Sequence, residues 1–413
     1  MNKGYTAHNN SAVDQFVDEQ LQQVTQAVVS LMGDSLEAIL LGGGFGRGEG
    51  SVAIAKDGAM HVVNDYDLEI VYREPWGKSL SKLITHLRFR KRLDTLAEEL
   101  AQILKIKQID LSPRGVGSYV LSTAPRLSDY DLKYGHHLLY GKNNPTDVMP
   151  WFRSQDIPAF EGTWLLRNRG LGMLLSFLYF MDKKGTLPEP KKENFYTEIN
   201  KAILAMGDAL YLLRGEYTCS YAERAANFTR YNDCNFPRMN ELMKLYSLAV
   251  GYKLLPQQDM FTNITPLNLW HQVNTLYVEF FLFYESERLG MCFTGLDQYA
   301  EWVFAQPTIG LKQRLHLQFD KLTGRSAGCL HDFLQLKQDK PRSLLFVISM
   351  LASREPSGIC EEAFHIVRSL AGKNNDSDSN TQRWKNWAYS FLLLIHPTGE
   401  VGRFLSSIKN VSK

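Results

Sequence analysis

Two strand-like segments flank a turn that holds six glycines between residues 42 and 50. The first segment, LEAILL at 36–41, is a short apolar run typical of a buried strand. The second, at 62–72 (VVNDYDLEIVY), alternates polar and apolar residues and predicts a strand with one face in the core. Glycines let the backbone approach an anion, and N–H groups at a helix start near Phe45 would point toward a phosphate. The pattern predicts strand, anion-binding turn, strand.

The second predicted strand carries acidic residues at alternate positions. Asp65, Asp67 and Glu69 follow the period of a strand, so all three are expected on one face. Carboxylates beside a phosphate-binding turn suit Mg²⁺, which takes oxygen ligands from protein and from substrate phosphates. A third predicted strand at 106–112 carries Asp110. If that strand neighbours 62–72, Asp110 meets Asp65 and Asp67 and completes a site for two metal ions.

The order of predicted elements gives the fold class. Helical periodicity over 11–32, with Ser11 as expected N-cap, and over 79–104 alternates with the three strands. From residue 151 onward helical periodicity dominates. The prediction is an α+β protein, with a small mixed-sheet head at 1–145 and a large all-α domain at 146–413. The helical domain is either one bundle or two sub-bundles, which an exposed connection at 183–194 would join. A polar loop is predicted at 372–382.

Charge and cysteine content limit the classes of partner. The 46 basic and 44 acidic side chains nearly cancel, so a nucleic-acid partner is less expected than a small molecule or protein. The five cysteines form no C-x-x-C pair, which favours reduced thiols. The N-terminus lacks the apolar core of a signal peptide, and the longest apolar stretches are about half the twenty residues of a membrane span. We therefore expect a cytoplasmic protein without a membrane partner.

Gly43-Gly44-Phe45-Gly46-Arg47-Gly48-Glu49, followed by Asn64-Asp65-Tyr66-Asp67-Leu68, resembles a known signature. It is similar to the G-[GS]-x-x-R-G-[DE] … [SN]-D-x-D-[LI] pattern of the DNA polymerase β-like nucleotidyltransferase superfamily. Within the superfamily, the motif most resembles that of the minimal and aminoglycoside nucleotidyltransferase-like members. The resemblance covers roughly residues 10–140.

The resemblance implies an enzyme that transfers a nucleoside monophosphate from an NTP, such as ATP, to a hydroxyl or phosphate acceptor. Two Mg²⁺ ions are expected, with Mn²⁺ as a substitute. By resemblance Asp65 and Asp67 hold both metals, and Asp110 holds the catalytic metal and helps activate the acceptor hydroxyl. The nucleotide-binding residues implied are Gly43, Gly44 and Arg47.

Two departures from the family pattern stand out. Gly44 occupies the position of the usual serine, so a hydroxyl contact to phosphate is missing. A hairpin-like insertion with a D-G turn at 56–59 lengthens the segment between the glycine turn and the carboxylates.

Other acidic and cationic residues leave alternatives open. Asp129 and Asp131 form a second D-x-D and are another source for the third carboxylate. Glu69 either reaches the metal site or makes a structural pair. Glu49 either favours a helix dipole or pairs with Arg47.

Three further sets of residues are weaker candidates for a functional role: a histidine pair, a basic run and two charges on a predicted helix. His136 and His137 are neighbours, and neighbouring side chains point apart, which argues against joint chelation. The basic run at 88–92 is either a solvated helix face or a nucleic-acid contact. Lys201 and Asp208 lie in a segment similar to the C-terminal helices of aminoglycoside-type members, so they either line the acceptor cleft or are helix-surface charges.

Besides the transferase, the sequence leaves open two other functions. One is a non-catalytic binding or regulatory protein, and the other is an enzyme acting on RNA ends.

Overall fold

The computed structural model describes residues 4–8, 10–75, 79–120, 125–182, 187, 189–256, 264–306, 339–355, 358–371 and 379–395. The chain forms two compact units that interleave along the sequence. The first contains Met1–Glu161, Arg214–Asp233 and Met243–Thr262; the second contains Gly162–Leu213, Cys234–Leu242 and Asn263–Lys413. The division at residue 145, predicted from sequence, stays a prediction.

The first unit combines a small sheet with helices. Its strands are β1 Leu36–Leu41, β2 Val52–Ile54, β3 Met60–Val62, β4 Tyr66–Tyr72, β5 Ile109–Gly115 and β6 His137–Tyr140. Its helices are α1 Ser11–Met32, α2 Gly43–Gly46, α3 Ser79–Ile103, α4 Leu127–Tyr134, α7 Tyr221–Asn227 and most of α8, Met239–Leu254.

A four-stranded mixed sheet organises this unit, with strand order β5-β4-β1-β6. β1 pairs antiparallel with β4 and β6, and β4 pairs parallel with β5. A parallel pair needs a crossover connection, and α3 supplies it. Val17, Val24 and Leu93 from α1 and α3 pack in one core with Ile39 and Leu68 from the sheet.

Residues of the opposite sheet face form a second, smaller core. Leu40 and Val71 pack there with Tyr119, Leu132 and Met149. Helix α4 carries Leu132, so this small core holds α4 beside the glycine turn that follows β1.

Helix α1 begins one residue away from its predicted cap. The N-cap is Asn10 rather than Ser11, because the Asn10 side chain accepts a hydrogen bond from Ala12 N at 3.0 Å. Gly33 ends the helix in a positive-φ conformation that favours glycine.

The strand predicted at 62–72 is interrupted. β3 ends at Val62, β4 starts at Tyr66, and Asp65 therefore lies before β4 rather than in it. The D-G insertion forms the predicted hairpin, since β2 and β3 pair antiparallel around Gly58 with φ +84°. The third strand is shifted from 106–112 to Ile109–Gly115.

The second unit is built mainly of helices. They are α5 Phe160–Asp182, α6 Glu189–Arg214, α9 Pro266–Leu289, α10 Leu296–Ala305, α11 Lys340–Ala352, α12 Glu361–Ala371 and α13 Asn380–Ile395. A short hairpin, β7 Arg354–Glu355 and β8 Gly358–Ile359, is its described sheet.

Two predicted connections of the second unit are partly corrected. The stretch 183–194 was predicted to be an exposed connection, but α6 already begins within it, at Glu189. Residues 183–186 and 188 lie outside the described part of the chain. Likewise α13 begins at Asn380 within the predicted loop 372–382, of which 372–378 lie outside the described residues.

The class of the fold agrees with the prediction at a coarse level: a small mixed sheet accompanies many helices. Across the described residues, none of the helices has both the length and the apolar character needed to cross a membrane.

Candidate functional site

The glycine turn after β1 is a tight, hydrogen-bonded loop. Gly42 N donates to Asp67 O at 2.8 Å, which ties the start of the turn to β4. Gly46 N donates to Gly42 O at 2.8 Å and Glu49 N to Gly44 O at 2.8 Å. Gly43 has φ +59°, a conformation that L side chains rarely adopt. A Cβ on Gly43 would also collide with the Asp67 carboxylate. The glycine therefore lets the turn backbone lie against Asp67.

Three predicted acidic residues come together beside this turn. Asp67 and Asp110 are register partners on the parallel strands β4 and β5. The two strands are therefore neighbours, which is the condition under which Asp110 was expected to meet Asp65 and Asp67. Asp65 precedes β4 by one residue, and its charge acts on Asp67. Their catalytic roles stay predictions.

The electrostatics of this cluster are dominated by Asp67. Burial raises the pKa of Asp67 to about 7, with further increases from the negative charges of Asp65 and Asp110. Lys253 and Arg47 act in the opposite direction and lower it. Burial and the neighbouring carboxylates both disfavour the charged form of Asp67, and a bound cation would offset this.

The donor set fits magnesium only in part. Carboxylate oxygens are the ligands of hard cations. Within the part of the chain that the structure describes, however, no three His, Cys, Asp or Glu side chains converge as a group able to hold a metal ion. Mg²⁺ commonly uses one or two carboxylates and completes its shell with water and substrate phosphates. Asp67 and Asp110 match that arrangement, with Asp65 as the third carboxylate nearby.

Lys253 is the residue of this region that the sequence reasoning missed. A Cβ at Gly44 would lie 3.2 Å from Lys253 Nζ, so the ammonium lies over the glycine turn. Ser51, which is 1% exposed, donates to Lys253 O at 2.5 Å and accepts from Asn64 Nδ2 at 2.8 Å. These bonds fix the end of α8 beside the turn. In the sequence, Lys253 is only a basic residue in the last turn of a helix.

Arg47 and Glu49 contact each other and residues that are distant in sequence. Arg47 Nη1 lies 3.5 Å from Asp131 Oδ2, and Arg47 Nε lies 4.0 Å from Glu49 Oε2. Glu49 accepts hydrogen bonds from Ser220 Oγ at 2.7 Å and Tyr221 N at 2.8 Å. The ion pair with Arg47 agrees with one predicted alternative for Glu49. Glu49 also caps α7, a helix distant in sequence, rather than the helix start of the glycine turn. The predicted contact between Arg47 and a triphosphate stays a prediction.

The alternative carboxylates are engaged elsewhere. Glu69 accepts from Arg114 Nη1 at 3.2 Å and from Tyr119 OH at 2.6 Å. Asp129 forms an ion pair with Arg114 at 3.2 Å. Glu69 therefore makes the structural pair, and the second D-x-D lies on α4 with its carboxylates directed to arginines.

Asp110 is oriented by a neighbour on its own strand. Ser112 Oγ donates to Asp110 Oδ1 at 2.9 Å and accepts from Arg90 Nη1 at 3.3 Å. Arg90 belongs to the basic run, and Arg92 donates to Leu31 O at 2.9 Å. The run is therefore divided between structural contacts and solvent rather than forming one continuous face.

The two histidines contact different partners. His136 Nε2 lies 2.9 Å from Asn144 Nδ2, whereas the His137 ring lies 5.2 Å from the ring of Tyr5. That they do not chelate a metal jointly stays a prediction.

Lys201 and Asp208 belong to α6 in the second unit. Lys201 forms an ion pair with Glu198 at 3.3 Å, and Asp208 is 4% exposed. Asp208 is therefore not a helix-surface charge, because burial excludes it from solvent. Their place in an acceptor cleft stays a prediction.

Comparison of this chain with family models, with curated proteins and with solved structures gave no match, so the residues and their geometry carry the functional argument.

Proposed function

We propose that this chain is a magnesium-dependent nucleotidyltransferase that moves a nucleoside monophosphate from an NTP to a hydroxyl acceptor, a small molecule or a protein. The observation that carries the proposal is that Asp67 and Asp110 are register partners beside the glycine turn. The turn backbone at Gly43 lies directly against the Asp67 carboxylate. The signature described above supports it, and the first unit then corresponds to the catalytic head of that superfamily.

The glycine turn and Lys253 supply the elements that an NTP requires. Backbone N–H groups at the start of a helical turn attract phosphate oxygens. The Lys253 ammonium over Gly44 adds a positive charge at the same place. A triphosphate bound there brings its negative charge close to Asp67, so a cation is needed between them. Mg²⁺ held by Asp67 and Asp110, with Asp65 nearby, would supply that charge and Lewis-acid stabilisation of the phosphate oxygens.

The chain's own residues then position the reactants. The acceptor oxygen forms a bond to the α-phosphorus while the bond from that phosphorus to the leaving pyrophosphate breaks. Asp110, held by Ser112, receives the proton of the acceptor hydroxyl. Lys253 stays with the phosphates and stabilises their charge. The acceleration comes from positioning and electrostatics.

The proposal is tested by incubating the full chain with each α-labelled NTP, Mg²⁺ and a cell extract, and identifying what becomes labelled. Label is expected on one acceptor class with wild type and to be lost with Asp67→Asn. The exposed hairpin variant Asp57→Asn is the matched control and should retain transfer. Absence of labelling, together with absence of NTP binding by calorimetry, would favour the non-catalytic alternative.

A further inference from the structure

Arg47 is enclosed by groups of the first unit. The residue is 8% exposed, and its guanidinium lies 3.5 Å from Asp131 and 5.5 Å from the centre of the Tyr221 ring. Burial alone would lower the pKa of Arg47, but Asp131, with Tyr221 and Tyr217, raises it above the ordinary value. A buried arginine held in this way is costly to move, because moving it separates a charge from its partner in a poorly solvated place.

The stem of Arg47 depends on a glycine at the end of α4. A Cβ on Gly135 would lie 2.5 Å from Arg47 Cγ and 3.0 Å from Arg47 Cδ. A Cβ on Gly46 would lie 2.8 Å from Gly135 O. The glycine turn and the end of α4 therefore touch backbone to backbone, and Arg47 passes through the space that Gly135 leaves.

Asp131 is itself held in place on the far side. Tyr217 OH donates to Asp131 Oδ1 at 3.0 Å. Tyr217 and Tyr221 belong to the same segment, Arg214–Asp233. Helix α7 lies in this segment, and Glu49 caps its N-terminus. The second half of the glycine turn is thus attached to α4 through Arg47 and to α7 through Glu49.

We infer that Arg47 is a positioning residue, which holds the glycine turn in its phosphate-binding shape through Asp131, and that it is not a ligand of the triphosphate. The cation that faces the turn at Gly44 is Lys253. The phosphate-binding part of this inference rests on the proposed function; the anchoring part does not.

The two roles of Arg47 predict opposite effects of Asp131→Asn. If Arg47 bound phosphate, removing the neighbouring negative charge would leave anion affinity unchanged or tighten it. If Arg47 anchors the turn, Asp131→Asn loosens the turn and weakens anion binding, although loss of a negative charge alone would strengthen it. The probe is inorganic tripolyphosphate with Mg²⁺, titrated calorimetrically into the full chain.

We expect Asp131→Asn and Arg47→Met each to weaken tripolyphosphate binding by about tenfold, and the double variant to be no worse than either. Gly135→Ala leaves every charge in place but displaces the Arg47 stem, and it should weaken binding similarly. Tyr217→Phe, which removes one hydroxyl, is the milder variant should the others unfold. Arg73→Gln removes an exposed ion pair with Glu37, 2.6 Å long, and is the control without effect.

Amide hydrogen exchange over residues 42–50 is the readout that needs no ligand. Exchange at Gly46 and Glu49 should accelerate by about tenfold in Asp131→Asn and Gly135→Ala, and stay unchanged in Arg73→Gln. Tighter or unchanged tripolyphosphate binding in Asp131→Asn, or unchanged exchange in the turn, would overturn the inference. If wild type binds no tripolyphosphate, the proposed function fails while the exchange result still decides the anchoring role.

Discussion

Asp67 and Asp110 lie opposite each other on parallel neighbouring strands, with the glycine turn closed against Asp67. Parallel strands direct register partners to the same face, so the two carboxylates share one electrostatic environment. Burial and this shared negative charge raise the pKa of Asp67 to about 7. The pair thus destabilises the fold in the charged form, and a cation or a proton relieves the repulsion.

The raised pKa predicts an unusual dependence of stability on pH. The pKa of Asp67 is about 7 in the folded chain against an ordinary 3.8, so the folded state holds an extra proton between those values. Asp67 therefore lowers the free energy of unfolding progressively as pH rises from about 4 to about 7, and this destabilisation is fully present above pH 7. In EDTA at pH 8, Asp67→Asn should raise the free energy of unfolding by roughly 2–4 kcal/mol.

Urea unfolding of both proteins at pH 5 and pH 8 measures this effect. The difference between variant and wild type should grow with pH, while Asp57→Asn, an exposed hairpin residue, should show the same small difference at both. A difference between Asp67→Asn and wild type that does not change with pH would contradict the assignment of repulsion to Asp67.

Magnesium should act on the same residues. At pH 8, Mg²⁺ that binds only the folded chain raises the unfolding midpoint by mass action, and Mn²⁺ should substitute for it. Asp110→Asn should lose most of this shift and lower nucleotidyl transfer by about a thousandfold or more, as loss of transition-state charge stabilisation does.

Differential scanning calorimetry with EDTA, Mg²⁺ and Mn²⁺ checks the shift. Glu69→Gln is the informative comparison, because Glu69 shares the strand with Asp67 but is bound to Arg114 and Tyr119. It should lose stability yet keep the metal-dependent shift. An equal midpoint shift in wild type and Asp110→Asn would exclude Asp110 as a ligand.

Local pattern was enough to predict the elements that carry the site. The strand Leu36–Leu41, the D-G hairpin and the helix from Ser79 follow from apolar periodicity and turn residues. The strand break before Tyr66 was not predicted, although the alternation begins only at Asp65, which follows two apolar residues and Asn64. The strands β2 and β3 form a separate sheet.

Contacts across long sequence distances were not predictable from pattern. Lys253 lies about two hundred positions from Ser51, to which its carbonyl is bonded, and nothing in a basic last helical turn indicates a site. Arg47 matches a motif, but its partner Asp131 is set by tertiary packing of α4. The motif therefore identified the residues of the turn without revealing what holds them.

Lys253 offers a direct test of charge over the turn. Lys253→Met keeps most of the side-chain volume and removes the ammonium, so tripolyphosphate affinity should fall by about tenfold or more. The pKa of Asp67 should rise further, because Lys253 lowers it in wild type. Lys244→Met is the matched control, an exposed lysine on the same helix. Equal affinities of the two variants in calorimetry would remove Lys253 from the site.

Two glycines with positive φ allow the cost of backbone strain to be separated from the geometry of the site. Gly43 has φ +59° and Gly58 has φ +84°, so alanine at either position costs on the order of 1 kcal/mol in backbone strain. A Cβ at Gly58 meets nothing within 4 Å, whereas at Gly43 it collides with the Asp67 carboxylate. Gly43→Ala should therefore displace both turn and carboxylate, and lose tripolyphosphate binding and the Mg²⁺-dependent midpoint shift.

Gly58→Ala should show the strain without these losses. Thermal unfolding measures the loss of stability that Gly43→Ala and Gly58→Ala share. Titration of tripolyphosphate with Mg²⁺ measures the difference in affinity between the two variants. If Gly43→Ala bound tripolyphosphate as Gly58→Ala does, close approach of the turn to Asp67 would have no part in binding. The phosphate site would then have to lie away from the carboxylates, because a Cβ at residue 43 cannot be accommodated while Asp67 keeps its position.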